Sequence, residues 1–245
     1  DALTALEEIY VQDLSAPQEY FAFAESVPGY EVSSFKKDSI SFRAAEIQYE
    51  YAEYGKAINA FTKYLDDYPN GVNRLAALYQ RAECYAILEQ FDKALTDYDA
   101  VVQKGNSRFY LKALAKAASV SYHHSESFFA AFQYYEELHD ATSDPTVKYD
   151  AQLGMLRSAY RSESWEKARS AGLSVLNNPD ATTDEKAEAR YCLGKSALAS
   201  NNPDDALLHF NSVIKDANNI MAAEARYLTS KIYYERAQYD LAEQM

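Results

Sequence analysis

The 245-residue chain sets 24 Lys+Arg against 37 Asp+Glu, a formal net charge of −13 at pH 7. That balance disfavours nonspecific nucleic-acid binding, which rests on neutralising phosphate, and adsorption to an anionic membrane surface. With 48% hydrophobic residues, 7 glycines and 6 prolines, the composition suits a well-filled core of long helices with short turns, and no stretch reaches the ~20 apolar residues of a membrane span.

In chain order, Leu3, Leu6, Ile9, Tyr10 and Leu14 fall at amphipathic helical spacing over 1–14. Ser15 before Pro17 and Gln18 predicts a cap for a second helix over 17–26, which Pro28-Gly29 ends. Residues 1–37 therefore read as a degenerate helix pair. Regular organisation starts at residue 38. Helices are expected near 39–52 and 54–67, and the exit runs through Asp66-Asp67-Tyr68-Pro69-Asn70-Gly71. The next pair occupies about 73–104 and stops at Lys104-Gly105, a cation followed by a glycine. A third pair spans about 107–142. The fourth begins at Ser143-Asp144-Pro145, an N-cap with proline in the first turn. Thr182 and Glu185 stand at capping-box spacing before the fifth, whose second helix opens at Asn202-Pro203. A sixth pair starts near Ile220 and is expected to lack most of its second helix. The sequence stops in mid-helix, without an opening signal segment, and reads as a piece of a longer protein. Alternation of the strand type is nowhere sustained.

Six alanines tie these pairs together: Ala57, Ala94, Ala131, Ala168, Ala206 and Ala242, separated by 37, 37, 37, 38 and 36 residues. Tyr54, Phe91, Phe128, Trp165 and Tyr239 stand three residues before them, with Pro203 the exception. Phe61, Tyr98, Tyr135 and Phe210 stand four after, with Gly172 the break. Such offsets put ring, small residue and ring on one helical face. Twelve before each alanine comes a second small residue, Ala45, Ala82, Ser119, Gly194 or Ser230, with Leu156 departing. Small positions meeting small positions at a fixed period describe two antiparallel helices per unit, each unit burying its apolar face on the next.

This pattern resembles the tetratricopeptide repeat, most clearly in Ala82, Tyr85, Phe91, Ala94 and Tyr98. The likeness covers 38–245, about six units, with units longer than the family's usual 34 residues or so. It implies an all-α, right-handed solenoid of antiparallel helix pairs. It also implies a non-catalytic scaffold that takes a protein or peptide partner in a concave groove lined by the first helix of each unit. The wording of 64–71 is similar to repeats of bacterial cell-envelope proteins, where such arrays coordinate outer-membrane assembly or envelope constriction. That implies a periplasmic or outer-membrane-associated setting, with a cytoplasmic one as the alternative.

Counting fifteen, eleven, eight and seven residues before each alanine marks the positions that the resemblance assigns to the groove. They include Phe42, Glu46, Tyr49 and Glu50; Tyr79 and Glu83; Lys116, His123 and His124; Arg157, Tyr160 and Arg161; Tyr191 and Lys195; and Tyr227, Lys231 and Tyr234. A chaperone-tail binder would present lysine and asparagine there; here Phe42, Tyr79, Tyr191 and Tyr227 replace the first and Glu46 or Glu83 the second. Arg157, Lys195 and Lys231 suggest a basic, aromatic strip for an acidic partner segment. The competing reading pairs these charges with Glu188 and Glu224 on neighbouring helices.

Catalytic and metal chemistry find little support. His123 and His124 are adjacent and diverge by about 100° on a helix, too far to share a metal. The carboxylate pairs Asp66-Asp67, Glu136-Glu137 and Asp204-Asp205 diverge for the same reason. No phosphate loop, nucleophile elbow or zinc spacing occurs, so neither enzyme, cofactor nor metal is expected. Cys84 and Cys192 read as small buried thiols. The rival roles are an accessory module of an enzyme complex, or a peptide- or glycan-binding module that uses the tyrosines.

Overall fold

The computed structural model describes residues 2–216 and 219–245 and, among them, only helices and their connections. Cα packing divides the chain into two compact units, 1–125 and 126–245.

The first unit opens with α1 (Ala2–Glu8), which widens into a π-helical turn (Ile9–Asp13), and continues to α2 (Pro17–Glu25). Ser15 does not cap α2. Ala16 holds the N-cap position without a side-chain bond, while Ser15 adopts φ +51° and its hydroxyl accepts from the Gln48 amide. A buried polar group on α3 thus claims the oxygen that local spacing assigns to the cap. Helices α3 (Ser34–Glu50), α4 (Tyr54–Asp67), α5 (Arg74–Ile87), α6 (Phe91–Gln103) and α7 (Tyr110–His123) then pack each against the next. The opening pair joins this stack: Val11, Tyr20, Phe21 and Ala24 bury themselves with Ile40, Ala44 and Ile47 of α3.

The second unit comprises α8 (Phe128–Ala141), α9 (Pro145–Arg161), α10 (Trp165–Asn177), α11 (Thr183–Ala199), α12 (Pro203–Asp216), α13 (Ile220–Glu235) and α14 (Tyr239–Glu243), again packed in succession. The expected caps form. Asp144 accepts from the Thr146 and Val147 amides at 2.8 and 3.3 Å. Thr182 and Glu185 make the reciprocal capping box.

The repeat register is a packing register. Ala57, Ala94, Ala131, Ala168 and Ala206 are wholly buried, so each second helix can approach its neighbours closely. Phe61, Tyr98 and Phe210 are wholly buried as well. Gly194 shows how tight the seam is: a Cβ there would stand 2.5 Å from the Phe210 ring. At Gly154 it would stand 2.6 Å from the Tyr135 ring. The aromatics three residues before the alanines, half-buried at Tyr54, Phe91, Phe128 and Trp165 and exposed at Tyr239, close the turn within each pair, as in the edge-to-face contacts Tyr49–Tyr54, Tyr160–Trp165 and Tyr234–Tyr239.

A second periodic feature is invisible in the residue types. Ala52, Glu89, Glu126, Glu163, Asn201 and Ala237, each five residues before a packing alanine, adopt φ between +48° and +59°. Glycine, the usual left-handed residue at a helix C-terminus, occupies none of them. Hydrogen bonding compensates for the strain. Glu89 N–H donates to Ala86 O at 3.1 Å and Gln90 N–H to Tyr85 O at 2.8 Å. The same two bonds recur at Ala52, Glu163, Asn201 and Ala237, closing the carbonyl end of the first helix and reversing the chain.

Candidate functional site

The positions assigned to the groove lie on the first helix of each pair, where successive first helices meet. In the first unit these are α3, α5 and α7. Arg43 pairs with Glu46 and Glu50 at 2.8 and 2.9 Å, and the Gln80 amide reaches Glu46 at 3.4 Å. Glu83 accepts from the Tyr98 hydroxyl at 2.7 Å and from Lys116 at 3.1 Å, linking α5, α6 and α7. Tyr79 is half-buried and stacks on Phe109 with centroids 5.3 Å apart. Desolvation, then the Glu83 charge, pushes its phenol up to about 12. Tyr49 is half-buried, and burial followed by Glu83 raises its phenol too. Phe42 is a core residue, packed on Phe61 and Tyr64. His124 stacks flat on Phe91 at 4.2 Å, while His123 sits edge-on to Tyr122.

The second unit repeats the ladder on α9, α11 and α13. Arg157 grips Glu188 with two parallel bonds of 2.9 Å each, and Lys195 reaches Glu224 at 3.3 Å. The basic strip is therefore already neutralised by the two glutamates that sequence offered as the competing partners. Lys231 pairs loosely with Glu235 at 3.9 Å on its own helix. Tyr160 is half-buried between Trp165 and Tyr191. Tyr191 is only 4% exposed and packs on Phe210, so it walls the face from behind and offers a partner little surface. Burial, then the neighbouring Glu224 carboxylate, drives its phenol far above the ordinary range. Reciprocally, Tyr191 and then Lys195 hold Glu224 below the usual carboxylate value. Arg161 lies over the Phe128 ring at 4.4 Å. Tyr227 and Tyr234 are exposed.

Each unit thus offers the same first-helix surface: half-buried tyrosine rims separated by inter-helix ion pairs. Sequence spacing found these positions and offered Glu188 and Glu224 as one of two readings, but could not decide for that pairing, because the partners lie 31 and 29 residues away on the next first helix. It also missed the buried pair beneath the first unit's face. There Arg81 binds Asp97 through two bonds of 2.7 and 2.8 Å and Thr62 through a third of 2.9 Å. Among the described residues, no group of three or more His, Cys, Asp and Glu side chains could hold a metal ion. No helix among them is long and apolar enough to cross a membrane. Cys84 and Cys192 are free, buried thiols, pushed up to about 12 chiefly by desolvation.

Residues 40–71, which hold most of α3 and all of α4, match the family model described as Tetratricopeptide repeat. Solved structures share the fold at low identity. The TPR protein YrrB, whose structure is described as having an unusual peptide-binding site, superposes with a TM-score of 0.56 at 15% identity, over 79% of this chain and 98% of that one. The C-terminal part of a TPR repeat-containing protein from Cytophaga hutchinsonii superposes with a TM-score of 0.53 at 18% identity, over 97% and 92%. No curated protein sequence matches the chain. The architecture is the all-α helical-repeat class built from antiparallel pairs. Residues 40–71 carry a tetratricopeptide repeat, and the chain as a whole shares the fold of tetratricopeptide-repeat proteins.

Proposed function

We propose that the chain is a non-catalytic scaffold that holds a protein or peptide partner on the first-helix faces. The accessible anchors are Glu46, Tyr49 and Lys116 in the first unit and Arg157, Tyr160 and Lys231 in the second. The observation that carries this reading is the ladder itself. Glu83–Lys116, Arg157–Glu188 and Lys195–Glu224 each join one first helix to the next, so the charges are ordered by the stack rather than by a bound substrate. Ordered, partly exposed pairs beside tyrosine rims supply hydrogen-bonding specificity with little side-chain entropy left to lose. Because the cations are paired, the partner is one that reads alternating charge, rather than a uniformly acidic strand.

The test is a charge swap. Arg157→Glu combined with Glu188→Arg preserves the ion pair and reverses its order, so the fold should keep its unfolding midpoint while partner capture falls. The control is Lys186→Glu with Lys215→Glu. Full partner capture by the swapped protein, with capture lost in the control, would place binding on another surface.

A further inference from the structure

A second site lies away from the first-helix ladder, where the connection between α4 and α5 faces the connection between α6 and α7. The two enclose an open cavity of about 690 Å³. Arg74, Lys104 and Arg108 line it, and no carboxylate does, although the chain carries 37 acidic residues. None of the three cations has an ion-pair partner among the described residues. Arg108 leans on the ring of Phe109, its guanidinium carbon 4.7 Å from the centroid. Like charges gathered around one hollow without counter-charge repel each other, which a bound anion relieves.

Three further features lie along the same hollow. The Ser107 hydroxyl oxygen is buried there and finds no hydrogen-bond partner, an arrangement that ordinarily signals a missing one. Asn73, at the N-cap of α5, makes no side-chain cap bond. The Leu75 and Ala76 amides behind it have no acceptor among the described residues, and both residues line the cavity. Open amides at the start of a 14-residue helix favour phosphate oxygens. The wall that carries them is pre-set. Asp38, 7% exposed, accepts from Tyr64 OH at 2.6 Å and from Val72 N–H at 3.0 Å. Asn73 N–H donates to the same Tyr64 hydroxyl at 3.2 Å. Gly71 is required at that wall, since a Cβ would stand 2.4 Å from Tyr64 Oη. The remaining lining, Pro69, Val72, Leu78, Ala100 and Phe109, is largely apolar.

We infer that this cavity binds a phosphate monoester carried on a small apolar or aromatic body. The two arginines offer planar forks to the phosphate oxygens, Lys104 adds a third charge, the α5 amides complete the oxygen shell, and Phe109 with Val72 covers the body. A phosphate monoester is close to a dianion at pH 7, which suits three cations better than a single carboxylate would. The site is independent of the first-helix ladder, and its failure would leave that reading untouched.

The experiment uses the full chain, with phenyl phosphate, inorganic phosphate and benzoate as probes, followed by amide chemical shifts and calorimetry. Phenyl phosphate is expected to shift the Gly71, Asn73, Gly105 and Ser107 amides and to bind more tightly than either other probe. Its affinity should fall as pH drops below the second phosphate pKa of about 6, while benzoate should show no such fall. Arg74→Gln with Arg108→Gln removes two charge-assisted contacts and should weaken binding about tenfold or more. Lys186→Gln with Lys215→Gln should leave it unchanged. Should the arginine double variant fail to fold, Lys104→Gln, at an exposed turn position, provides the same comparison. No shift with phenyl phosphate, equal binding of benzoate, or equal loss in the lysine control would each overturn the proposal.

Discussion

The two units follow one register and hold their seams by different means. The first unit has Ala45, Ala82 and Ser119 at the small first-helix positions and ties its rings down with hydrogen bonds. Tyr64 donates to Asp38 and Tyr98 to Glu83, while Arg81 and Asp97 form a pair whose side chains are 16% and 6% exposed. The second unit keeps its buried alanines and adds glycines to its seams. Gly154 and Gly194 receive aromatic rings, and Gly172 lies against Leu193 at 3.2 Å from a would-be Cβ. Glycine lets a ring settle onto bare backbone, so the seam is held by shape. A repeat register therefore specifies where two helices touch without specifying which force holds them.

The largest expected effect breaks the first unit's polar seam. Asp97→Ala leaves Arg81 charged, largely buried and unpaired, and should cost about 3–5 kcal/mol in urea unfolding. Glu188→Ala, which breaks an exposed pair of the second unit, should cost under about 1 kcal/mol. Equal costs would abolish the distinction between buried and ladder pairs.

Next come the glycines. Gly194→Ala and Gly154→Ala should each cost about 1–3 kcal/mol through overpacking, outweighing the ~1 kcal/mol that alanine brings to a helix. Gly55 has open space around its would-be Cβ, and Gly55→Ala should instead stabilise the first unit by about 0.5–1 kcal/mol. Thermal midpoints moving in opposite directions are the expected result.

Caps sharpen the contrast through pH. Glu185 is held below the usual carboxylate value, first by the Thr182 amide and then by its hydroxyl. A lowered folded value means stability that is fully present above the ordinary glutamate pKa of about 4.3 and lost as pH falls through the folded value. Thr182→Ala should cost about 1 kcal/mol at pH 7 and flatten the acid limb of the stability curve below pH ~4.3. At the start of α3 the cap is Ser33 accepting from the Lys36 amide at 3.3 Å, with no acid in return. Ser33→Ala should lower stability without changing that limb.

The smallest effect should be common to both units. Glu89→Gly and Glu163→Gly place glycine where φ is +58° and +53°, and each should stabilise by about 0.5 kcal/mol once relief of left-handed strain is set against glycine's entropy. A gain in one unit only would show that the two turns are not equivalent.

Periodicity by itself determined the helix pairs, the buried alanines from Ala57 to Ala206 and the identity of the first-helix positions. Burial on a helix follows from local spacing, and the same spacing recurs. Caps at Asp144 and Thr182 were legible for the same reason, since donor and acceptor lie within three residues. Only the tertiary structure decided what local spacing cannot carry. It gave Ser15 to Gln48 instead of α2, and it buried Tyr191 while the matching position Tyr79 keeps a half-exposed rim. It joined Arg157 and Lys195 to carboxylates 31 and 29 residues away. It also brought Arg74, Lys104 and Arg108 around one hollow from two separate connections. Those outcomes depend on which side chains meet after the helices stack. The energy of each meeting is set by distance and desolvation, quantities that exist only once the chain is folded.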